Sequence, residues 1–425
     1  MTDSQVHDSV VIGAGIIGLG SALALQARGR QVMVLDRERE TARTSDMNAG
    51  AFAFADIVPL ATPGIMRRAP KWLLDPLGPL SIPPGYAIRI APWMFRFWRA
   101  SRPDRFKASL TAQAALMKLS RAALDRLVAD VGGAGLIQPE GQLQLYEGAH
   151  EYRASLAGWA LRRDHAIRFD LLESPEAIAE IQPGLDRRFT HAGFTPDWVN
   201  TCDPARWLGQ LRSVFLERGG RMTDCAARTL TPGEAGVGIE TSAGTMLARN
   251  VVVAAGAWSH RLARTLGDRI PLETERGYNT TLPEGALDLR THLTFSRHGF
   301  VVTKINGGIR VGGAVELGGL DLPPNYKRAD ILLQKARSFL PQLKTENGTR
   351  WMGFRPSLPD SLPVIDRSPR DRRILYAFGH GHLGLTQSAG TAELVASLSG
   401  ETPPPIDISA FSALRFQGSF QGELS

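Results

Sequence analysis

The 425-residue sequence predicts an α/β protein. It calls for a nucleotide-binding parallel-sheet domain with a discontinuous chain course, plus a mixed, largely antiparallel-sheet second domain. Three stretches predict this. Residues 10–20 read VVIGAGIIGLG, and the helix-like run and apolar strand that follow close on Asp36. Residues 250–258 read NVVVAAGAW, a buried strand ending in Ala-Gly that brings the chain back to a parallel sheet late in the sequence. Residues 298–315 read HGFVVTKINGGIRVGGAV, an antiparallel hairpin around Asn306-Gly307, the strongest short turn signal.

The first stretch carries chemistry. Gly13, Gly15 and Gly18 stand at G-x-G-x-x-G spacing directly after Val10, Val11 and Ile12. Gly13 permits the tight turn, Gly15 lets the backbone approach a pyrophosphate, and Gly18 lets helix and strand pack closely. Ile16 and Ile17 open the helix, whose free N–H groups and positive dipole end face the phosphates. Asp36 then stands where a ribose hydroxyl would donate, with Arg37 beside it. A lone G-x-G-x-x-G is weak. Here strand, helix and acid agree, which makes the unit Rossmann-like. NAD and FAD share this fingerprint, so the stretch leaves the dinucleotide open.

Composition is that of an ordinary globular chain, 43% hydrophobic and 21% charged, and the length suffices for more than one domain. No apolar run reaches the roughly 18–20 residues that span a bilayer. The polar N-terminus MTDSQVHDSV lacks the marks of a signal peptide. Cys202 and Cys225 supply neither a disulfide framework nor a four-ligand metal site. They fit a reducing, cytoplasmic compartment, and no metal is expected. The net charge of +7 is spread over scattered arginines. No nucleic-acid module is present, so a solvated basic surface is preferred, with anionic substrates or lipids as the alternatives.

Between the motifs, the loop with Thr44, Ser45, Asn48, Ala49 and Gly50 begins where a strand has ended. It either wraps a cofactor with hydroxyl, amide and backbone donors or is a plain surface loop. Residues 59–99 hold Pro59, Pro63, Pro70, Pro76, Pro79, Pro83, Pro84 and Pro92, which argue against regular elements. The stretch 88–99 mixes Trp93, Phe95 and Trp98 with Arg89, Arg96 and Arg99. On a helix it would pack on the protein's own core, dock a partner, or lie on a membrane surface. Residues 108–130 and 206–218 read as helices, 136–146 as a half-buried strand, and TSAGTM as a hairpin tip. The last third gives WMGFRPSLPDSLPVID, then a strand, a Gly/His turn and a helix over 373–399.

Together VVIGAGIIGLG, TSDMNAG, VVVAAGAW, GFRPSLPDSLPVI and GHGHLGLTQSAG stand in the order seen in the D-amino-acid oxidase and dehydrogenase family of flavoproteins, which the chain resembles over nearly its whole length. Glycine oxidase and sarcosine oxidase belong to this family. The nearest likeness is to the small chain of bacterial D-amino-acid dehydrogenase and to hydroxy-D-proline dehydrogenases. The resemblance implies non-covalent FAD, since the C-terminal turn has no cysteine. The ADP half falls to the N-terminal unit, with Ala255, Gly256 and Trp258 nearby. The flavin falls to Gly379, His380, Gly381, Leu383, Gly384, Leu385 and Thr386. Arg355, in GFRP, would hold a substrate carboxylate through two parallel hydrogen bonds. Tyr278 and His298 are candidate pocket residues, with a packed tyrosine and an exposed histidine as the bland alternatives. Asp366 stands where relatives show glycine, and either points outward or weakens FAD binding.

The division the resemblance implies is 1–58, 100–135, 200–268 and 350–425 for the FAD-binding domain, 59–99 for a Pro-rich insertion, and 136–199 with 269–349 for the substrate domain. The implied reaction is dehydrogenation of a D-amino acid, D-proline and 4-hydroxy-D-proline included, by hydride transfer from Cα to flavin. A quinone or another redox carrier would take the electrons. An oxygen-using oxidase of the glycine or sarcosine type and a flavin-carrying subunit of a larger complex are the rivals. The expected place is the cytoplasm, or the inner face of the cell membrane through 88–99.

Overall fold

The computed structural model describes residues 6–37, 43–67, 73, 78, 80–400 and 402–417. Among these, two large sheets and one small one organise the chain. Strand β1, Val6–Ile12, runs parallel to β2, Val32–Asp36, and parallel to Gly244–Val253 on its other side. Ile12 stands opposite both Leu35 and Val253, so the glycine turn and Ala254-Ala255 emerge at one end of the sheet. Arg221–Asp224 extends the sheet beyond β2, and Ile374–Phe378 pairs in parallel with the second half of Gly244–Val253. The first half of that strand turns back through Ser242-Ala243 onto Gly236–Thr241, which places a hairpin where TSAGTM predicts one.

The central strands are apolar on consecutive residues because both faces are covered. On one face Leu19 and Leu23 of helix α1, Ile16–Gln26, pack with Leu394 and Val395 of the Gly384–Ser399 helix and with Trp207. On the other, Val10, Val251 and Val253 pack with Leu262 and Tyr376. No helix among the described residues is long and apolar enough to cross a membrane.

The second sheet is nine-stranded and largely antiparallel. Towards one edge Glu273–Leu282 lies between Gly308–Leu317 and the end strand Thr349–Ser357. The hairpin joins Phe300–Ile305 to Gly308–Leu317 through Asn306 at φ 50° and Gly307 at φ 78°, the two positive values a type I′ turn requires. One face is buried under the helix Lys327–Phe339, where Leu332 and Phe339 meet Phe295, Phe300 and Val311. Ala51–Phe52, Val199–Thr201 and Ile137–Gln138 form the small sheet. The chain runs from Thr349–Ser357 in the antiparallel sheet to Val364–Arg367, which pairs with Ile374–Phe378 in the parallel one.

The proline-rich stretch departs from expectation. Pro70, Pro76 and Pro79 lie outside the described residues, but Ala87–Ala100 is a helix with Pro92 inside it. Pro92 removes one backbone donor. Burial of Ile90, Trp93 and Tyr86 against Leu317 outweighs that loss. Its inner and outer faces divide the readings that the sequence left open: Trp93 stacks on Phe97 inside at 5.3 Å, while Ile88, Phe95 and Trp98 are 90%, 54% and 42% exposed.

Candidate functional site

The glycine turn is shaped by close backbone approach. A Cβ on Gly13 would stand 2.4 Å from the Ala254 carbonyl oxygen, and one on Gly18 would overlap the Gly13 carbonyl. Gly13 itself has φ 111°. No side chain caps α1 at Gly15; Ser45 Oγ accepts from Ile16 N at 3.0 Å. Ser45 takes that first donor, and the N–H groups that follow it in the first turn have no helical partner and are available for an anion. Asp36 accepts from Arg37 N at 2.9 Å and from Arg43 Nε at 2.6 Å. A carboxylate offers about four acceptor positions, so room for a further donor remains. The Arg37 guanidinium lies 3.5 Å over the Trp258 ring, and Gly256 beside it has φ 54°.

The loop 43–50 is stitched between the sheets. Thr44 Oγ1 donates to Phe354 O and accepts from Phe354 N. Asn48 closes a local turn by accepting from Gly50 N at 2.7 Å. From the antiparallel sheet, Asn279 Nδ2 donates to Met47 O at 2.8 Å and Arg310 Nη1 donates to Asn48 O at 2.6 Å. Arg310 is buried, and burial pulls its pKa down to about 10 against the pull of Asp203. The loop is thus a wall, with Ala49 directly after its two anchors.

The Gly/His turn sits at the C-terminal end of Ile374–Phe378. Gly379 at φ 88° and Gly381 at φ 55° bend the chain into Gly381–Leu383, and then the Gly384–Ser399 helix begins without a side-chain cap. His380 points inward: Nε2 shares a hydrogen bond with Thr391 Oγ1 at 2.9 Å, and burial depresses its pKa to about 3, so it packs neutral beneath the turn. Leu383 and Leu385 are buried. Thr386 Oγ1 accepts from Ala53 N at 2.9 Å, which spends the hydroxyl on the segment after the loop.

Arg355 faces this turn from the antiparallel sheet. It lies directly across from Glu275, two residues along the strand from Gly277. A Cβ at Gly277 would stand 2.2 Å from Arg355 Nη2, so the guanidinium passes over that glycine. Nη1 donates to Ala314 O at 2.9 Å, which leaves the rest of the fork for a ligand. Burial lowers the Arg355 pKa and Glu275 opposes it; an arginine stays charged regardless. Arg355 is half-buried beside Glu275, and His382 is exposed at the mouth of a cavity next to the turn. Desolvation by the surrounding protein lowers the His382 pKa, with Asp56 and Glu275 opposing and Arg355 adding to it. Trp93, Phe97, Glu275, Ser357 and His382 border this space.

A family model described as FAD dependent oxidoreductase matches residues 8–398. The chain belongs to this FAD-dependent oxidoreductase family. It is 33% identical to a D-amino-acid oxidase of Bradyrhizobium diazoefficiens over 417 residues, covering 96% of this chain and 98% of that one. It is 30% identical to a D-amino acid dehydrogenase of Vibrio cholerae, covering 93% and 96%. In fold it is similar to glycine oxidase from Geobacillus kaustophilus, with a TM-score of 0.78 at 19% identity over 97% and 99% of the two chains. It is likewise similar to L-proline dehydrogenase from P. horikoshii, at 0.74 and 19% over 97% and 98%.

The residues present fit FAD. The helix ends at Gly15 and Leu383 have no cap from their own N-cap side chains, and Ser45 of the 43–50 loop reaches the first of them at Ile16 N. Ser357 Oγ is buried without a protein partner and would lie 3.4 Å from a Cβ on Gly381. This flavoenzyme family member does not bring all the expected pocket residues together. Tyr278 is buried with its hydroxyl donating to Glu316 Oε1 and accepting from Asn325 N, both at 3.0 Å. It alternates with Gly277 and so faces away from Arg355. His298 pairs with Glu147 at 3.0 Å and packs on Phe339 under the covering helix, where burial lowers its pKa. Asp366 accepts from Ser412 Oγ at 2.6 Å and from Arg367 N. Motif reading passed over Glu275, His382, Asn279 and Arg310. The one available signal was a charge at a buried-strand position, as in GIRVGG.

Proposed function

We propose that the protein dehydrogenates a D-amino acid to an imine, which water hydrolyses to a 2-oxo acid and ammonium. The observation that carries this is Arg355: a cation anchored through one nitrogen to Ala314 O, with the rest of its fork over Gly277, next to Glu275, which borders a cavity at the Gly/His turn. Such a fork fixes a carboxylate in orientation as well as charge. FAD, when bound, supplies the hydride acceptor for Cα–H. Gly13, Gly15 and Gly18 with Ile16 and Ile17 would hold the pyrophosphate, Asp36 a ribose hydroxyl, and Thr44 to Gly50 the wall of the site. Gly379, Gly381 and the N–H groups opening the Gly384–Ser399 helix would meet the flavin edge where negative charge develops. Tyr278 and His298 would support the pocket from outside it, through Glu316 and Glu147.

Relatives at 30% identity named dehydrogenases favour a carrier such as a quinone. The relative at 33% named an oxidase supports oxygen as the second reading. Among substrates, we favour the cyclic D-proline and 4-hydroxy-D-proline on the sequence resemblance. The test is anaerobic bleaching of the flavin by paired D- and L-amino acids, including proline and 4-hydroxyproline, followed by reoxidation with oxygen or a quinone. Bleaching by one D-compound supports the reading; a yellow protein that no amino acid bleaches refutes it. Peroxide formed at the turnover rate would select the oxidase.

The outer face of Ala87–Ala100 supports peripheral contact with the inner face of the cell membrane. Ile88, Phe95 and Trp98 are exposed beside Arg89, Arg99 and Arg102, an apolar and basic mixture suited to anionic lipid. Phe95→Ser with Trp98→Ser is expected to abolish co-sedimentation with anionic vesicles while dye-linked activity persists. Unchanged retention counts against contact through this helix.

A further inference from the structure

We infer that Glu275 is the recognition group for the α-ammonium of the substrate, so that Glu275 and Arg355 together read a zwitterion. The inference rests on the proposed amino-acid site, and it assigns the half of the substrate that Arg355 does not hold.

Glu275 is 6% exposed and sits on a strand paired on both sides, where a buried ionised side chain is costly unless something compensates it. Its strand position is opposite Arg355, and its field is felt at both Arg355 and His382. Among the described residues its carboxylate nevertheless has no hydrogen-bond or ion-pair partner. It borders the cavity together with Ser357, Gly379 and His382. The Arg355 fork is drawn away from it, over Gly277 and towards Ala314 O. The two opposite charges therefore stand apart on one face, separated by about the 6–7 Å of two residues along a strand.

That arrangement suits an α-amino acid. Its carboxylate meets the fork, and its nitrogen, one carbon further on, donates to Glu275. A zwitterion leaves the enclosed cavity electrically balanced. A simple carboxylate adds an uncompensated negative charge beside Glu275, which a low-dielectric site penalises. The same N–H···O contact survives when the nitrogen is a neutral amine, so Glu275 continues to fix the nitrogen in the form from which Cα–H is removed. Glu275 is thus a specificity-determining residue, and it excludes ligands with only a carboxylate.

The test uses the FAD-loaded enzyme and two ligands that cannot turn over by loss of an α-hydrogen from an amino acid. 2-Aminoisobutyrate is a zwitterion without Cα–H, and isobutyrate is the same skeleton without nitrogen. Binding of each is read from the perturbation of the flavin spectrum, so no activity is needed. The wild type is expected to prefer 2-aminoisobutyrate. Glu275→Gln is expected to lose about tenfold or more of that preference, with isobutyrate bound as well as before or better. Glu275→Asp, which keeps the charge, is expected to restore part of it. FAD content and melting temperature confirm that each variant is folded. The inference is overturned if the wild type shows no preference, if Glu275→Gln leaves the ratio unchanged, or if both ligands weaken together. It is also overturned if only ligands with a cationic side chain, such as D-lysine, respond to the substitution. Failure of the amino-acid reading shows separately, as a wild-type flavin that no amino acid bleaches.

Discussion

Gly277→Ala should disable the enzyme without disturbing its fold. The glycine lies inside the strand Glu273–Leu282, where alanine is as acceptable to the backbone as glycine. The obstacle is Arg355. The new Cβ would stand 2.2 Å from Nη2, 2.4 Å from Cζ and 2.9 Å from Nε. Restoring an ordinary contact of roughly 3.4 Å moves the guanidinium by about 1.2 Å and stretches or breaks its 2.9 Å bond to Ala314 O. A displacement of about 1 Å at a positioning group costs about 10²-fold in rate, equivalent to about 2.7 kcal/mol of transition-state stabilisation. The assay is anaerobic stopped-flow reduction of the flavin, with FAD content and melting temperature measured on the same preparation. The expected result is kcat/KM down about a hundredfold with FAD retained. A variant that keeps FAD and stays within threefold of wild type would refute the placement of Arg355 over Gly277, or its role in binding substrate.

Three further outcomes follow from other contacts. Arg310→Met removes the bonds to Asn48 O and Thr281 Oγ1 and should weaken FAD by about tenfold or more, read by fluorescence titration; unchanged affinity would mean that the 43–50 loop is not a cofactor wall. Asp268 is fully buried and accepts from Ser368 Oγ, Tyr376 Oη and Gln417 Nε2. Asp268→Ala should therefore cost about 3 kcal/mol in urea unfolding, and a loss below about 1 kcal/mol would contradict the network. His292 and His380 are held neutral by burial, each with its pKa lowered to about 3. In the unfolded chain they take up protons below about pH 6.5, so stability is full above that pH and falls as pH drops towards 3. Each contributes a loss of about 2 kcal/mol at pH 5, and His292→Gln should flatten the fall in melting temperature between pH 7 and pH 5.

Much of the framework is written locally. The two valines and isoleucine before Gly13, the three glycines and Asp36 specify strand, turn, helix and strand because each requirement is met within a few residues. The Asn306-Gly307 hairpin and the Gly379 turn are specified in the same way, by positive φ that few side chains accept. Local rules failed at Pro92. The cost of one missing donor is visible in sequence, but the compensating burial of Ile90 and Trp93 against Leu317 is not.

The pocket depends on register. Arg355 was recognisable in its motif, but its neighbours come from a strand about 80 residues earlier. Which of Glu275, Arg276, Gly277 and Tyr278 faces it depends on pairing with Thr349–Ser357 and on an irregularity opposite Gly308–Leu317 between Arg276 and Tyr278. Adjacent residues in a strand point to opposite faces. Tyr278, the more eye-catching residue, therefore went to Glu316, while Gly277 received the guanidinium. The sequence by itself determined a nucleotide-binding α/β unit, its hairpins and the arginine. Only the tertiary structure decided that Glu275 pairs across from that arginine and borders one cavity with His382, because strand pairing and helix packing join positions that no local preference links.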